Sequence, residues 1–163
     1  DNVLYKAVYN YNLKDDQIKA IAKNGGVIQV NFNSGFIDPT EGAREDAFLS
    51  KHQAEMDRLK STGVNEYIAE ETIHKLYRAE SQLLRAPFEL LIDHIEYIIR
   101  LVGIDYVGIG SDFDGIILPP LMLDDVTTYP LITKALLSRG YSQKDINKIY
   151  GGNILRVMKA VER

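Results

Sequence analysis

A chain of 163 residues with 45% hydrophobic content has the size of one ordinary domain and can fill a core. A formal net charge of −4 without a clustered Lys/Arg stripe excludes the electrostatic footprint of a nucleic-acid binder. Zero cysteines exclude disulfides and thiolate metal sites, and no apolar run reaches the length that crosses a bilayer. The opening Asp1-Asn2-Val3-Leu4-Tyr5-Lys6 lacks the charged-then-apolar order of a secretory leader, and composition leaves both cytoplasm and periplasm open.

Residues 1–13 are rich in Tyr and Asn and lack periodicity, which predicts an irregular loop. Ile18, Ile21 and Ala22 then fall at helical spacing, with Asp15 and Asp16 favouring the helix start and Gly25-Gly26 following its end. Val27-Ile28-Gln29-Val30-Asn31-Phe32 reads as a strand directly afterwards, so helix, double glycine and strand make the α-to-β half of a parallel unit. A loop with Gly35 and Pro39 leads into two polar helices, about 44–60 and 66–85, separated at Ser61-Thr62-Gly63. Phe48, Leu49, Met56 and Leu59 mark the apolar stripe of the first; Ile73, Leu76 and Tyr77 mark that of the second. Their histidines, His52 and His74, are expected to be solvated. Pro87 opens a third helix with Leu91, Ile95, Ile98, Ile99 and Val102 inward and Gly103 as its stop. Beyond Pro119-Pro120 come short helices: one from Pro130 to Gly140, one capped by Ser142 with Asp145, and one over Ile154–Val161 with Asn153 as its expected cap.

The segment Gly108-Ile109-Gly110-Ser111-Asp112-Phe113-Asp114-Gly115 carries the chemistry. It follows an apolar approach, Ile104-Asp105-Tyr106-Val107, and leads into a proline loop, so two carboxylates stand where a strand ends. In α/β folds that end of a strand is where ligands bind. A dinucleotide fingerprint would need glycine at 113, which is Phe. A calcium loop from Asp112 would need an oxygen ligand at 116 and glycine at 117; both are Ile. A haloacid-dehalogenase-type phosphatase would want a small hydroxyl residue in place of Ile116 and an unbroken apolar strand in place of Gly108 and Gly110. A polar turn in which Asp112 and Asp114 cap local amides is the plainest alternative.

The element order is therefore loop, α, β, a long helical crossover, β and terminal helices, an α/β arrangement with right-handed parallel connections. Two parallel strands leave sheet edges open and are not stable alone. The expectation is the C-terminal part of a larger α/β barrel, or a sheet completed by another polypeptide.

The residues Asp93-His94-Ile95-Glu96-Tyr97-Ile98, followed by Gly103 to Gly115, resemble the membrane (renal) dipeptidase family, zinc peptidases of the amidohydrolase superfamily. Val30-Asn31-Phe32, Tyr129-Pro130, Leu136 to Tyr141 and Gly151 to Val157 add to the resemblance, which covers essentially the whole chain in family order. The helical insert at about 41–85 is its least typical part. The resemblance implies a (β/α)8 TIM-type barrel in which 27–32 is the seventh strand and 105–111 the eighth, so that residues 1–163 are the C-terminal portion of a dipeptidase-like barrel. It implies two zinc ions at the C-terminal face, with ligands on earlier strands preceding Asp1 and no metal ligand in this chain. His94 is then a packing or hydrogen-bonding histidine.

On this resemblance Asp112 is the proton-transferring carboxylate of the eighth strand, and Asp114 a structural residue bonding loop amides. Tyr11 and Asn12 fall in the substrate site, where the family places an Arg-Asn pair. The arginine holds the dipeptide's terminal carboxylate, and Tyr11 offers one neutral donor instead of a two-pronged charged one. The implied function is metal-dependent hydrolysis of dipeptides or related small amides. The alternative is a catalytically inactive, barrel-completing fragment or binding subunit. Expected partners are a small peptide, an N-terminal barrel half in the same or another chain, and further copies in a homo-oligomer; nucleic acid is not among them.

Overall fold

The structure, a computed structural model, describes residues 12–162. The first helix, α1 (Asp15–Lys23), carries acids in its first turn and Lys23 in its last, which suits the helix dipole. Gly25 closes it at φ 77°, a conformation that only glycine adopts without cost. Strand β1 (Ile28–Val30) follows at once. After a short turn, α2 (Ser34–Ile37), comes the helical insert: α3 (Glu41–Lys51), α4 (Gln53–Ser61), α5 (Glu66–Leu76) and α6 (Arg78–Ser81), ending in a 3-10 turn at Gln82–Leu84. The long α7 (Phe88–Val102) runs to Gly103 at φ 101°, and a 3-10 turn at Ile104–Tyr106 delivers the chain to strand β2 (Val107–Ile109). The chain closes with α8 (Tyr129–Ser138), α9 (Gln143–Asn147) and α10 (Asn153–Val161).

Among the described residues the sheet has two strands, paired in parallel with Ile28 opposite Val107, Gln29 opposite Gly108 and Val30 opposite Ile109. Both strands are shorter than expected: the apolar run 27–32 predicts a longer first strand, and the family resemblance implies 105–111 for the second. The pairing nevertheless continues past their formal ends, where Gly110 N donates to Val30 O at 2.9 Å and Phe32 N to Ser111 O at 3.3 Å. Period-two alternation then divides the faces. Ile28, Val30, Phe32 and Val107 point into a core shared with Ile18 of α1, Leu91, Ile95 and Ile98 of α7, and Leu136 of α8. Gln29, Asn31, Gly108, Gly110 and Asp112 occupy the other face. The helices thus cover the first of these faces, and on the second Gly108 is buried, where a Cβ would lie 3.4 Å from Ile149 O.

The insert has its own small core of Phe48, Met56, Ala69, Ile73 and Leu84, joined by Leu118 from the loop after β2. His52 and His74 belong to it and are not solvated: they are 8% and 4% exposed. His52 stacks on Tyr77 at 3.6 Å between ring centres, and Phe48 lies 5.0 Å from His52 and 4.9 Å from His74. The two helices pack against one another, and imidazoles with largely apolar faces fill the seam. Leu76, assigned to the inward stripe, is instead 57% exposed, because α5 ends there and Tyr77 turns the chain. The first polar helix is also split at His52 into α3 and α4.

Asn153 corrects another expectation. It is 2% exposed and is not the cap of α10; its Nδ2 donates to Ile104 O and Val107 O, both at 2.8 Å. The last helix is thereby pinned to the entry of β2. No helix among the described residues is long and apolar enough to cross a membrane. Asn153→Ala strands two carbonyl oxygens, one of them in a buried pairing, and is expected to cost about 2–4 kcal/mol in urea unfolding of the protein that contains this chain.

Candidate active site

Asp112 stands just beyond the end of β2, on the face opposite the core, and is exposed. Its backbone is left-handed, φ 65°, a region that Asp and Asn enter more readily than other side-chain-bearing residues. The turn closes when Gly115 N donates to Asp112 O at 2.9 Å. Behind it Phe113 turns inward, edge-on to Phe32 with ring centres 5.7 Å apart and 6.1 Å from Tyr129. An aromatic anchor on one residue and a left-handed turn on its neighbour together hold the Asp112 carboxylate out of the sheet.

Among the described residues the carboxylate has one hydrogen-bond partner. Asn31 Nδ2 donates to Asp112 Oδ2 at 2.9 Å, across 81 residues of sequence. The adjacent-strand register explains it, since 29 and 31 share a face with 108, 110 and 112. Asn31 Oδ1 in turn accepts from Asn33 N at 2.7 Å, which fixes the amide's orientation. Two glycines make the approach possible. A Cβ on Gly110 would come within 2.8 Å of Gln29 Cβ and 3.0 Å of the Gln29 carbonyl carbon, and one on Gly115 within 2.5 Å of Asp112 Oδ1. Asp114 does not bond loop amides as expected; it is exposed and makes no hydrogen bond among the described residues.

Asn12 is half-buried and donates from Nδ2 to Phe36 O at 2.7 Å. That bond ties the approach to α1 to the loop after β1, so Asn12 holds backbone on the side of the strand ends. Tyr11 lies outside the described residues. The sequence reading assigned no role to Asn31, although strand alternation carried the signal once the register was known.

The structure brings no three His, Asp or Glu side chains together as a metal site among the described residues. His94 Nε2 lies 3.1 Å from Ile37 O, with burial pushing the imidazole pKa down, and so packs α7 against α2. His74 Nδ1 is 2.8 Å from Ser81 Oγ, and His52 is in the stack on Tyr77. A dinuclear zinc centre therefore does not fit these residues alone, and Asp112 is a single carboxylate facing outward.

Beside this turn, a cavity of about 220 Å³ is lined by Gly115, Asn33, Tyr67, Glu45 and Glu70. Burial and the charge of Glu45 push the Glu70 carboxyl up. The same causes raise Glu41, 1% exposed and with no hydrogen-bond partner for Oε1, from 4.5 to about 7.

The family model for membrane dipeptidases, peptidase family M19, matches residues 4–163. The chain belongs to the membrane dipeptidase family. It is 54% identical over 72 residues to dipeptidase ataJ of Aspergillus terreus, covering 44% of this chain and 18% of that protein. It is 33% identical over 150 residues to an uncharacterised protein in the pqqA 5′ region of Klebsiella pneumoniae, covering 92% of this chain and 41% of that one. In structure it resembles the probable dipeptidase PvdM of Pseudomonas aeruginosa, with a TM-score of 0.63, 29% identity, and coverage of 93% of this chain and 41% of PvdM. The chain thus spans less than half the length of these relatives. Membrane dipeptidases are metallopeptidases of TIM-barrel type.

Glu41 yields a pH prediction. Its folded carboxyl holds a proton between 4.5 and about 7, where the unfolded chain has lost it, so stability present below 4.5 falls as pH rises toward 7. Glu41→Gln removes that loss. Thermal unfolding should show the variant little different from the parent at pH 5 and more stable at pH 8, by on the order of 2–3 kcal/mol.

Proposed function

We propose that this chain is the C-terminal portion of a metal-dependent dipeptidase-like barrel, with 28–30 and 107–109 in the seventh and eighth strand positions and a helical insert at about 41–85 over the strand ends. The barrel hydrolyses dipeptides or related small amides. Its zinc ligands come from residues outside this chain, and so do the remaining strands. One observation carries the reading: in a chain of this family, Asp112 stands exposed beyond the C-terminal end of β2, on the face opposite the core and held by Asn31.

In this reading Asp112 takes a proton from the attacking water and delivers it to the leaving amine. A carboxylate suits both steps because it is an acceptor when ionised and a donor when protonated. Asn31 donates to Oδ2 and so keeps Oδ1 as the oxygen free to exchange the proton. Gly115 leaves the space that Oδ1 occupies.

The test is Asp112→Asn in the full-length polypeptide that contains this segment. Asparagine tolerates the left-handed backbone, so folding is retained. The amide cannot shuttle a proton, and kcat on a dipeptide should fall roughly 10²–10⁴-fold, with zinc content by atomic emission unchanged. An unaltered kcat would remove Asp112 from proton transfer and favour a role in binding instead.

A further inference from the structure

A second cavity, of about 330 Å³, lies between the insert and the loop after Asp112. Phe113, Ile116, Ile117 and Pro119 line it together with Lys75 and Arg78. That volume is at the lower end of those that take small ligands. The wall divides between these apolar side chains with Leu118 and a polar side that also holds Glu71, His74, Ser81, Gln82, Arg85 and Asp124. The charges on the wall are nearly all answered within it. Lys75 Nζ meets Glu71 Oε1 at 2.7 Å, and Arg85 meets Asp124 Oδ1 at 2.7 Å while also donating to the carbonyls of Pro119 and Pro120. Arg78 is different: exposed, it has no hydrogen bond or ion pair among the described residues. The wall therefore presents an apolar side, two closed ion pairs and one uncommitted guanidinium.

We propose that this cavity binds a small organic carboxylate, its apolar body against Phe113, Ile116 and Ile117 and its anionic end on Arg78. A planar guanidinium matches a carboxylate with two parallel hydrogen bonds, and the carboxylates of Glu71 and Asp124 on the same wall oppose an anion of higher charge such as a phosphate. Two sources share this chemistry: the carboxylate of the peptide substrate, or a separate small acid. The first rests on the dipeptidase reading and would supply the cation that Tyr11 lacks; binding itself does not rest on it.

The probe is N-acetyl-L-leucine, with N-acetyl-L-leucinamide as its uncharged counterpart, titrated by NMR into the full-length polypeptide that contains this segment. The acid should bind at least about tenfold more tightly than the amide, and Arg78→Gln should bring it to the amide's level. Arg78→Lys should restore part of the difference, and Arg58→Gln, paired with Glu55 on α4, should change nothing. A dipeptide KM that rises about tenfold in Arg78→Gln with kcat held assigns the carboxylate to the substrate. An unchanged KM with probe binding lost assigns it to a separate ligand. Equal binding of acid and amide, or of the acid to parent and Arg78→Gln, overturns the proposal. Absence of any hydrolysis by the parent removes the dipeptidase reading and leaves the binding result standing.

Discussion

The parallel pairing of β1 with β2 governs what the rest of this chain can do. Three residues of each strand pair, and the hydrogen bonds run on through Gly110 and Phe32. Because side chains alternate, that single register sends Ile28, Val30, Phe32 and Val107 into the helices and sets Asn31 beside Asp112 on the opposite face. A slip by one residue would exchange the two sets, burying an amide and a carboxylate and exposing the core. The register is protected where the strands come closest, since any side chain at 110 would strike Gln29. Fold and candidate chemistry thus depend on one alignment.

Much of the architecture was legible because the punctuation is strong. Gly25 and Gly103 take the positive φ that helix ends require, and Ser142 and Asp145 form the reciprocal cap that their spacing implies. The position of Asp112 was legible as well, from an apolar run ending in Gly-x-Gly and a polar turn. What stayed hidden were relations between distant segments. Nothing local in Val30-Asn31-Phe32 says that Asn31 reaches position 112. Asn153 reads as a cap from its place before an amphipathic helix, yet two carbonyls beside β2 compete for its amide and win. His52 sits four residues from both Phe48 and Met56, a spacing that places it on the buried stripe; its polar ring concealed that.

The insert is bound to the strand ends by polar contacts as well as by the packing of Leu118 in its core. Arg85, 6% exposed, donates to Pro119 O and Pro120 O and pairs with Asp124. Ser34 adds to this: its Oγ accepts from Ala86 N, and its own N donates to Leu118 O. The loop after Asp112 is therefore clamped between the segment that follows β1 and the end of the insert. Ile116 and Ile117 form part of the walls of both cavities, so each wall is only as rigid as this clamp.

The outer sides of β1 and β2 have no strand beside them among the described residues. Each presents a row of backbone donors and acceptors in extended geometry next to an apolar core. Left without a neighbour, two such ribbons are templates for one another. Copies of this segment produced in isolation would recruit each other edge to edge, and growth of that kind has no closing symmetry to stop it. Insolubility of these residues alone would follow from geometry, with no fault in their sequence.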